Sequence, residues 1–307
     1  MQIRAGKKRA LFSIVIVGIT LPVMARQLPA NDSSAYRCAI EKAVFKKISK
    51  EHYGPRPIND AYAADVFMQF FRTVDPSNYI FLQGDLDQLS VYKYKIDDEI
   101  NGGTIEFFDA AYTVYSKRIK EAEAICMGIL QHPQDLQQKE SVVVWRKDLP
   151  FQENEAGRKE LWCKILKYAT LKNYMILEKA DSNKTATKGV DPALEAKARE
   201  RVRNWYTEFF IKANGKDAVN DLFTQYMAVA VSEIDPHSAY TAPQDQSFNS
   251  MLTKRYYGIG VELAGKESDF YVKRLMQGGT AYKSGLVKEN DRVLAIANAK
   301  GDRKSVV

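Results

Sequence analysis

A few residue groups in this sequence have the types and spacing for chemistry. Ser90-Val91-Tyr92-Lys93 has the S-x-x-K spacing in which a lysine amine one helical turn away could take the proton of a serine hydroxyl. The companion S-D-N and K-T-G elements of enzymes built on that pattern are absent, and charged residues surround the motif. A surface helix is the expectation there. Asp235, His237 and Ser238 are the residue types of a hydrolytic triad. A working triad is assembled from distant segments, so three members within four positions point instead to a structured turn. No G-x-S-x-G elbow occurs. Gly258-Ile259-Gly260 begins like a dinucleotide loop, but Leu263 stands where the third glycine belongs, and no helix pattern opens there. His52, His132 and His237 lie far apart, and Cys38, Cys126 and Cys163 include no C-x-x-C pair, so neither a metal site nor a cofactor is expected. Cys126 and Cys163 fit small buried helix residues, and disulfide pairing among the three cysteines stays open.

Elements that could position such groups follow from the apolar spacing. A helical patch precedes the Gly54-Pro55-Arg56-Pro57 turn. A helix then starts at the Asn59/Asp60 cap, with Ala63, Val66, Phe67, Phe70 and Phe71 on one face, and ends at Asp75-Pro76. Thr104 to Ile129 is again helical, with Phe107, Phe108, Tyr112 and Tyr115 on its early turns. The SVVVW run at 141–145 fits either a short strand or the approach to the next helix. Helices are expected at 158–180, with Leu161, Trp162, Ile165, Leu166 and Tyr168 to one side, and at about 192–213 and 217–233. In the last two, Trp205, Phe209, Phe210, Leu222, Phe223, Tyr226 and Met227 are core candidates. The loop between the first two of these carries SNKTATKGVDP at 182–192. Beyond about Lys254 the character changes. YGIGVEL, FYVKRL and DRVLAIA have strand patterns, and GGTAYKSGL is a turn feeding a short helix that ends near Gly285. The fold class is therefore a mainly α N-terminal helical domain followed by an incomplete β-rich part.

The 307 residues suffice for two modest domains, and 45% hydrophobic with 27% charged residues is a globular composition. The formal charge of +7 includes Arg4, Lys7, Lys8 and Arg9, and removing those four leaves +3. The remaining cations alternate with acids along helical stretches, which argues against a nucleic-acid partner. Arg4 to Arg9 form a basic start, Ala10 to Val23 an apolar core too short to span a bilayer comfortably, and Val23-Met24-Ala25 a cleavage site. Residues 1–25 are thus a signal peptide for export. Cleavage after Ala30 and an uncleaved anchor in the inner membrane are the alternatives.

Two segments carry a family resemblance. Asp75-Pro76-Ser77-Asn78-Tyr79-Ile80-Phe81-Leu82 resembles the "DPSRxYFL" segment in the helical N-terminal domain of tail-specific (C-terminal processing) serine proteases of Gram-negative bacteria. Glu233-Ile234-Asp235-Pro236-His237-Ser238-Ala239-Tyr240 resembles the "DPHTSY" segment that precedes the PDZ domain there, and Gly258-Ile259-Gly260-Val261-Glu262-Leu263 follows at the family's distance. Any one motif is weak, but their order behind a signal peptide is specific and covers nearly the whole chain. The resemblance implies a periplasmic protein of a Gram-negative bacterium with a helical domain over 31–240 and a partial PDZ domain over 246–307. It implies a serine endopeptidase that recognises apolar C-terminal tails of periplasmic proteins and uses a Ser–Lys dyad, and a lipoprotein adaptor as a candidate partner. The dyad belongs to a domain after the PDZ, and no position here matches it, so this stretch alone is expected not to cleave peptides.

The PDZ chemistry has a direct physical form. Backbone amides of a glycine-containing loop can hold a terminal carboxylate while the peptide adds to a sheet edge. Gly258 and Gly260 would let the loop curl so that the Ile259, Gly260 and Val261 amides converge, with Ile259, Val261 and Leu263 as the apolar pocket and edge strand. Taken locally, the same residues fit a plain strand with a glycine bend, and only the ordered context favours the carboxylate loop. Two other functions stay open: a stand-alone periplasmic peptide-binding adaptor, and a purely structural helical protein.

Overall fold

The structure is a computed structural model that describes residues 33–146, 149–180, 189–243, 258–266, 269–297 and 303–305. The signal peptide expected over 1–25, most of the loop at 182–188 and the start of the YGIGVEL run lie outside the described residues. The chain divides into two compact units, with the boundary after Tyr240.

The first unit is all helix. In chain order it contains α1 (Ser34–Glu51), α2 (Asp60–Val74), α3 (Gln83–Leu89), a 3-10 turn at Ser90–Tyr92, α4 (Ile96–Gly102), α5 (Glu106–Leu130), α6 (Glu155–Ala180), α7 (Pro192–Ala213) and α8 (Ala218–Ser232). The starts follow capping chemistry. The Ser33 hydroxyl accepts from the Tyr36 amide at 3.1 Å, and the Asn59 side chain from the Tyr62 amide at 3.2 Å. Asp191 accepts from the Ala193 and Leu194 amides, with Pro192 in the first turn. Gly103 closes α4 in a left-handed conformation at φ 77°.

Helix α5 is the spine. Its buried residues Phe108, Ala111, Tyr115, Ile119, Ala122, Cys126 and Leu130 recur at three and four, so one stripe faces inward for the whole length. The expected face of α2 is buried in full: Ala63, Val66, Phe67, Phe70 and Phe71. α2 packs on α8 and α4, while α5 packs on α6, α7 and α8. Phe71 meets Phe81 edge-on with ring centroids 5.1 Å apart, and Phe107 lies 5.5 Å from Phe70 and 6.0 Å from Tyr226. At the far end of α5, Arg199 and Arg203 of α7 both donate to the Leu130 carbonyl, satisfying a helix-end acceptor.

Two expectations need correction, and one left open is decided. The line of α6 that faces the core runs every fourth residue through Arg158, Trp162, Leu166, Thr170 and Tyr174, with Leu161 beside it. Tyr168 falls off that line and is 45% exposed. Trp205 is 59% exposed; it stacks on the ring of Phe209 along the outer side of α7, while Tyr206 and Phe210 point inward. Of the two readings left open for 141–145, the run is no strand but an irregular segment ahead of α6, with Val143, Val144 and Trp145 exposed.

The second unit is small. β1 (Val261–Lys266) pairs antiparallel with β2 (Asp269–Leu275), with a bulge between Glu262 and Leu263. The outer edge of β2 meets the 290–293 segment: Val272 donates to the Asp291 carbonyl at 2.8 Å and Val293 to the Phe270 carbonyl at 2.8 Å. The short helix α9 (Thr280–Ser284) ends at left-handed Gly285, and β3 (Ala295–Ala297) pairs with β4 (Arg303–Ser305). Val272 and Ala281 are its buried apolar side chains among the described residues.

Candidate functional site

The loop that opens β1 is held by a close approach between two glycines. Gly260 has φ 78°, and a Cβ there would sit 2.8 Å from the Gly279 Cα; one on Gly279 would sit 2.9 Å from the Gly260 Cα. The loop's carbonyls bind it to the turn before α9 and to the first turn of α9 itself. The Gly260 carbonyl accepts from the Met276 amide at 2.8 Å and the Ile259 carbonyl from the Ala281 amide at 2.9 Å. Among the described residues no partner is seen for the Ile259 and Gly260 amides. A left-handed residue in such a loop turns successive N–H groups toward a common side, where an anion can be held.

The site residues therefore divide as follows. Gly258 stands in the open, with nothing near a Cβ position, and Ile259 is 57% exposed. Val261 is half-buried and Leu263 exposed, separated by the bulge that breaks the alternation of β1. Between them Glu262 binds Lys273 at 2.7 Å and Arg274 at 3.1 Å; the hydrogen bond from Lys273 holds its carboxyl below the ordinary value. Among the described residues β1 has a strand partner on one side only, and the other edge is where an extended chain could add.

The Asp235 turn makes no relay. Asp235 accepts from the His237 amide at 3.2 Å, which lowers its carboxyl, and its second oxygen lies 3.4 Å from His52 Nε2. The Ser238 hydroxyl meets the same Nε2 at 3.3 Å. A general base must present one ring nitrogen to the acid and the other to the nucleophile, and here a single nitrogen faces both. The arrangement ties the end of α1 to the turn after α8. Ser90 is exposed in its 3-10 turn and donates to the Asp87 carbonyl at 2.6 Å. Among the described residues no group of three or more His, Cys, Asp or Glu is placed to hold a metal ion. All three cysteines are free thiols; Cys126 is buried, and Cys163 is half-buried.

The other family-like segment is architecture. The buried Asp75 carboxylate accepts from the amides of Tyr79, Ile80 and Phe81 at 2.8–3.1 Å. Burial pushes it up to about 6, and those amides pull the other way. Asn78, left-handed at φ 52°, donates to the Arg146 and Leu149 carbonyls. Trp162 Nε1 donates to the Tyr79 carbonyl at 3.0 Å and Arg158 to the Ile80 carbonyl at 2.9 Å. Arg158 also joins Glu121 at 2.7 Å, and Glu121 binds Arg118, which forms a two-pronged pair with Asp85.

Sequence reasoning missed a buried acid cluster. Glu41 of α1 accepts from the Tyr226 hydroxyl of α8 at 2.8 Å, and burial pushes it up to about 8. Burial also pushes Glu99 of α4 up to about 7, with the Phe107 amide opposing. Glu41 lies four residues before Phe45 on the same helix, so that spacing was the available signal.

The helical unit that holds this clamped loop matches a known family. Residues 44–244 match the Tail specific protease N-terminal domain, and the chain belongs to the tail-specific protease family. It is also similar to a Tail-specific protease of Haemophilus influenzae, at 25% identity over 268 residues. That alignment covers 87% of this chain and 36% of the relative, so the chain spans about a third of the relative's length.

Proposed function

We propose that this chain is the N-terminal part of a periplasmic tail-specific serine endopeptidase, and that its 258–263 loop receives the apolar C-terminal tail of a substrate. The observation that carries this reading is the loop itself: its carbonyls are engaged, its Ile259 and Gly260 amides have no described partner, and it leads into β1, one edge of which has no described strand partner. A carboxylate at those amides would set the register, and the preceding residues would extend along β1, with their apolar side chains near Ile259 and Leu263. The family's serine and lysine match no position here, so this segment supplies recognition and the bond is cut elsewhere. Export through a signal peptide at residues 1–25 would put the reaction in the periplasm. An adaptor lipoprotein is a candidate partner of the helical unit.

The test uses the chain from Arg26 and a peptide with an apolar C-terminus. Expected are no cleavage and weak binding that disappears when the peptide is amidated or when Gly260→Ala strains the loop. Cleavage lost on mutating a serine within these residues would overturn the recognition-only role. Binding indifferent to amidation would overturn the carboxylate loop, and tight carboxylate-dependent binding without cleavage would favour a stand-alone adaptor.

A further inference from the structure

Helix α6 carries two apolar lines. The inner one is described above. On the outside, Tyr168, Leu171, Met175 and Ile176 are 36–49% exposed, and together with Lys172 and Lys179 they line a shallow groove of about 290 Å³. All six residues belong to this one helix, so the groove lies among the side chains of a single surface.

The spacing says what fits. Tyr168, Leu171, Lys172 and Met175 stand at i, i+3, i+4 and i+7, and Lys172, Met175, Ile176 and Lys179 repeat the pattern one turn on. Four residues so spaced form the hole that receives one side chain of a facing helix. Two successive holes make a seam of about 17 Å, three turns long. A lipid surface takes up protruding side chains and needs no such holes.

Charge narrows the partner. Lys164 is paired with Glu160 at 2.6 Å and Lys167 with Glu140 at 3.0 Å, but Lys172 and Lys179 have no ion pair to a described residue. Among the described residues the groove thus has two cations without an acid partner, and no acid lines it. A second copy of the same surface would bring four lysines into one seam, which like-charge repulsion opposes. We infer that the outer face of α6 is a docking surface for an acidic amphipathic helix of another protein, its apolar side chains entering the two holes and its carboxylates meeting Lys172 and Lys179.

The probe is a fluorescein-labelled synthetic helix of about three heptads, with leucine at the a and d positions and glutamate at the flanking e and g positions. Its anisotropy is followed against the purified chain, with a lysine-flanked peptide as control. Expected is salt-sensitive binding of the acidic peptide, at least about tenfold tighter than the control and weakened at least about tenfold by Met175→Glu. The double variant Lys172→Glu/Lys179→Glu should exchange the preference and take the lysine-flanked peptide. All these positions are exposed, so the circular dichroism melts should stay unchanged. No binding, or binding that Met175→Glu and the charge reversal leave alone, overturns the inference. Sedimentation with phosphatidylglycerol vesicles, or self-association, that is lost in Met175→Glu would also overturn it, reassigning the face to a membrane or to a second copy.

Discussion

Replacing Glu41 by glutamine should make the helical domain more stable as the pH rises. Glu41 is 1% exposed, and its carboxyl is pushed from the ordinary 4.5 up to about 8 by burial first, with the repulsion of Glu99 added and the Tyr226 hydrogen bond opposing. Between those values the folded chain keeps a proton that the unfolded chain releases. Stability from this group is therefore complete below pH 4.5, falls as the pH rises, and levels off above about 8. At about 1.4 kcal/mol per pH unit, the loss between pH 4.5 and pH 7 is on the order of 3 kcal/mol. Glutamine keeps an oxygen for the Tyr226 hydroxyl and does not titrate. Its amide N–H groups need accommodation, but that cost does not vary with pH. The stability difference between variant and parent should thus widen by about 3 kcal/mol from pH 5 to pH 8, or about 1 M in the urea midpoint. Urea unfolding followed by circular dichroism at each pH measures it. Parallel curves for the two proteins, or a gap that narrows with rising pH, would refute the reasoning.

Other outcomes are also fixed by the structure. Asp75→Ala strands three amides, two of them fully buried, and should cost at least about 3 kcal/mol in chemical denaturation. Trp162→Ala, which opens a cavity and frees the Tyr79 carbonyl, should cost about 3–5 kcal/mol, while Trp205→Ser on the outer side should stay within about 0.5 kcal/mol. The Cys126 thiol, pushed up to about 12 by burial, should resist alkylation at pH 8 until denaturant is added, as mass spectrometry of the native chain would show. Ser90→Ala should leave stability unchanged, since its hydroxyl reaches only a neighbouring carbonyl at the surface.

Legibility in the sequence followed the range of the interactions. The faces of α2 and α5 could be read because one helix period decides them and the Asn59 cap sits three residues before the first buried side chain. Tyr168 and Trp205 misled because they fall at helical spacing from true core residues but off the line that actually packs. Glu41 and Arg158 looked like solvated charges; their partners, Tyr226 and the Ile80 carbonyl, lie 185 and 78 residues away. At the candidate site the glycines were visible as a bend, but Gly279 was legible only as part of a turn. Its need to lack a Cβ arises from a backbone that approaches from nineteen positions upstream.

The clamp on residues 75–82 has a consequence for the order in which the domain can assemble. Its inner half is local: Asp75 and the amides it holds lie within six residues and can meet early. Its outer half waits for Arg146, Leu149, Arg158 and Trp162, sixty-eight to eighty-three residues later in the chain. A polypeptide made amino end first must therefore carry the segment after α2 for that whole interval with its Tyr79 and Ile80 carbonyls untied. Closure is a late event, in which α6 arrives and ties those two carbonyls. Because those late ties end on main-chain carbonyls, the incoming helix reads the path of the loop rather than the identity of its side chains. A chain interrupted between Leu82 and Trp162 would leave α2 exposed, and such a fragment is where aggregation of this domain should begin.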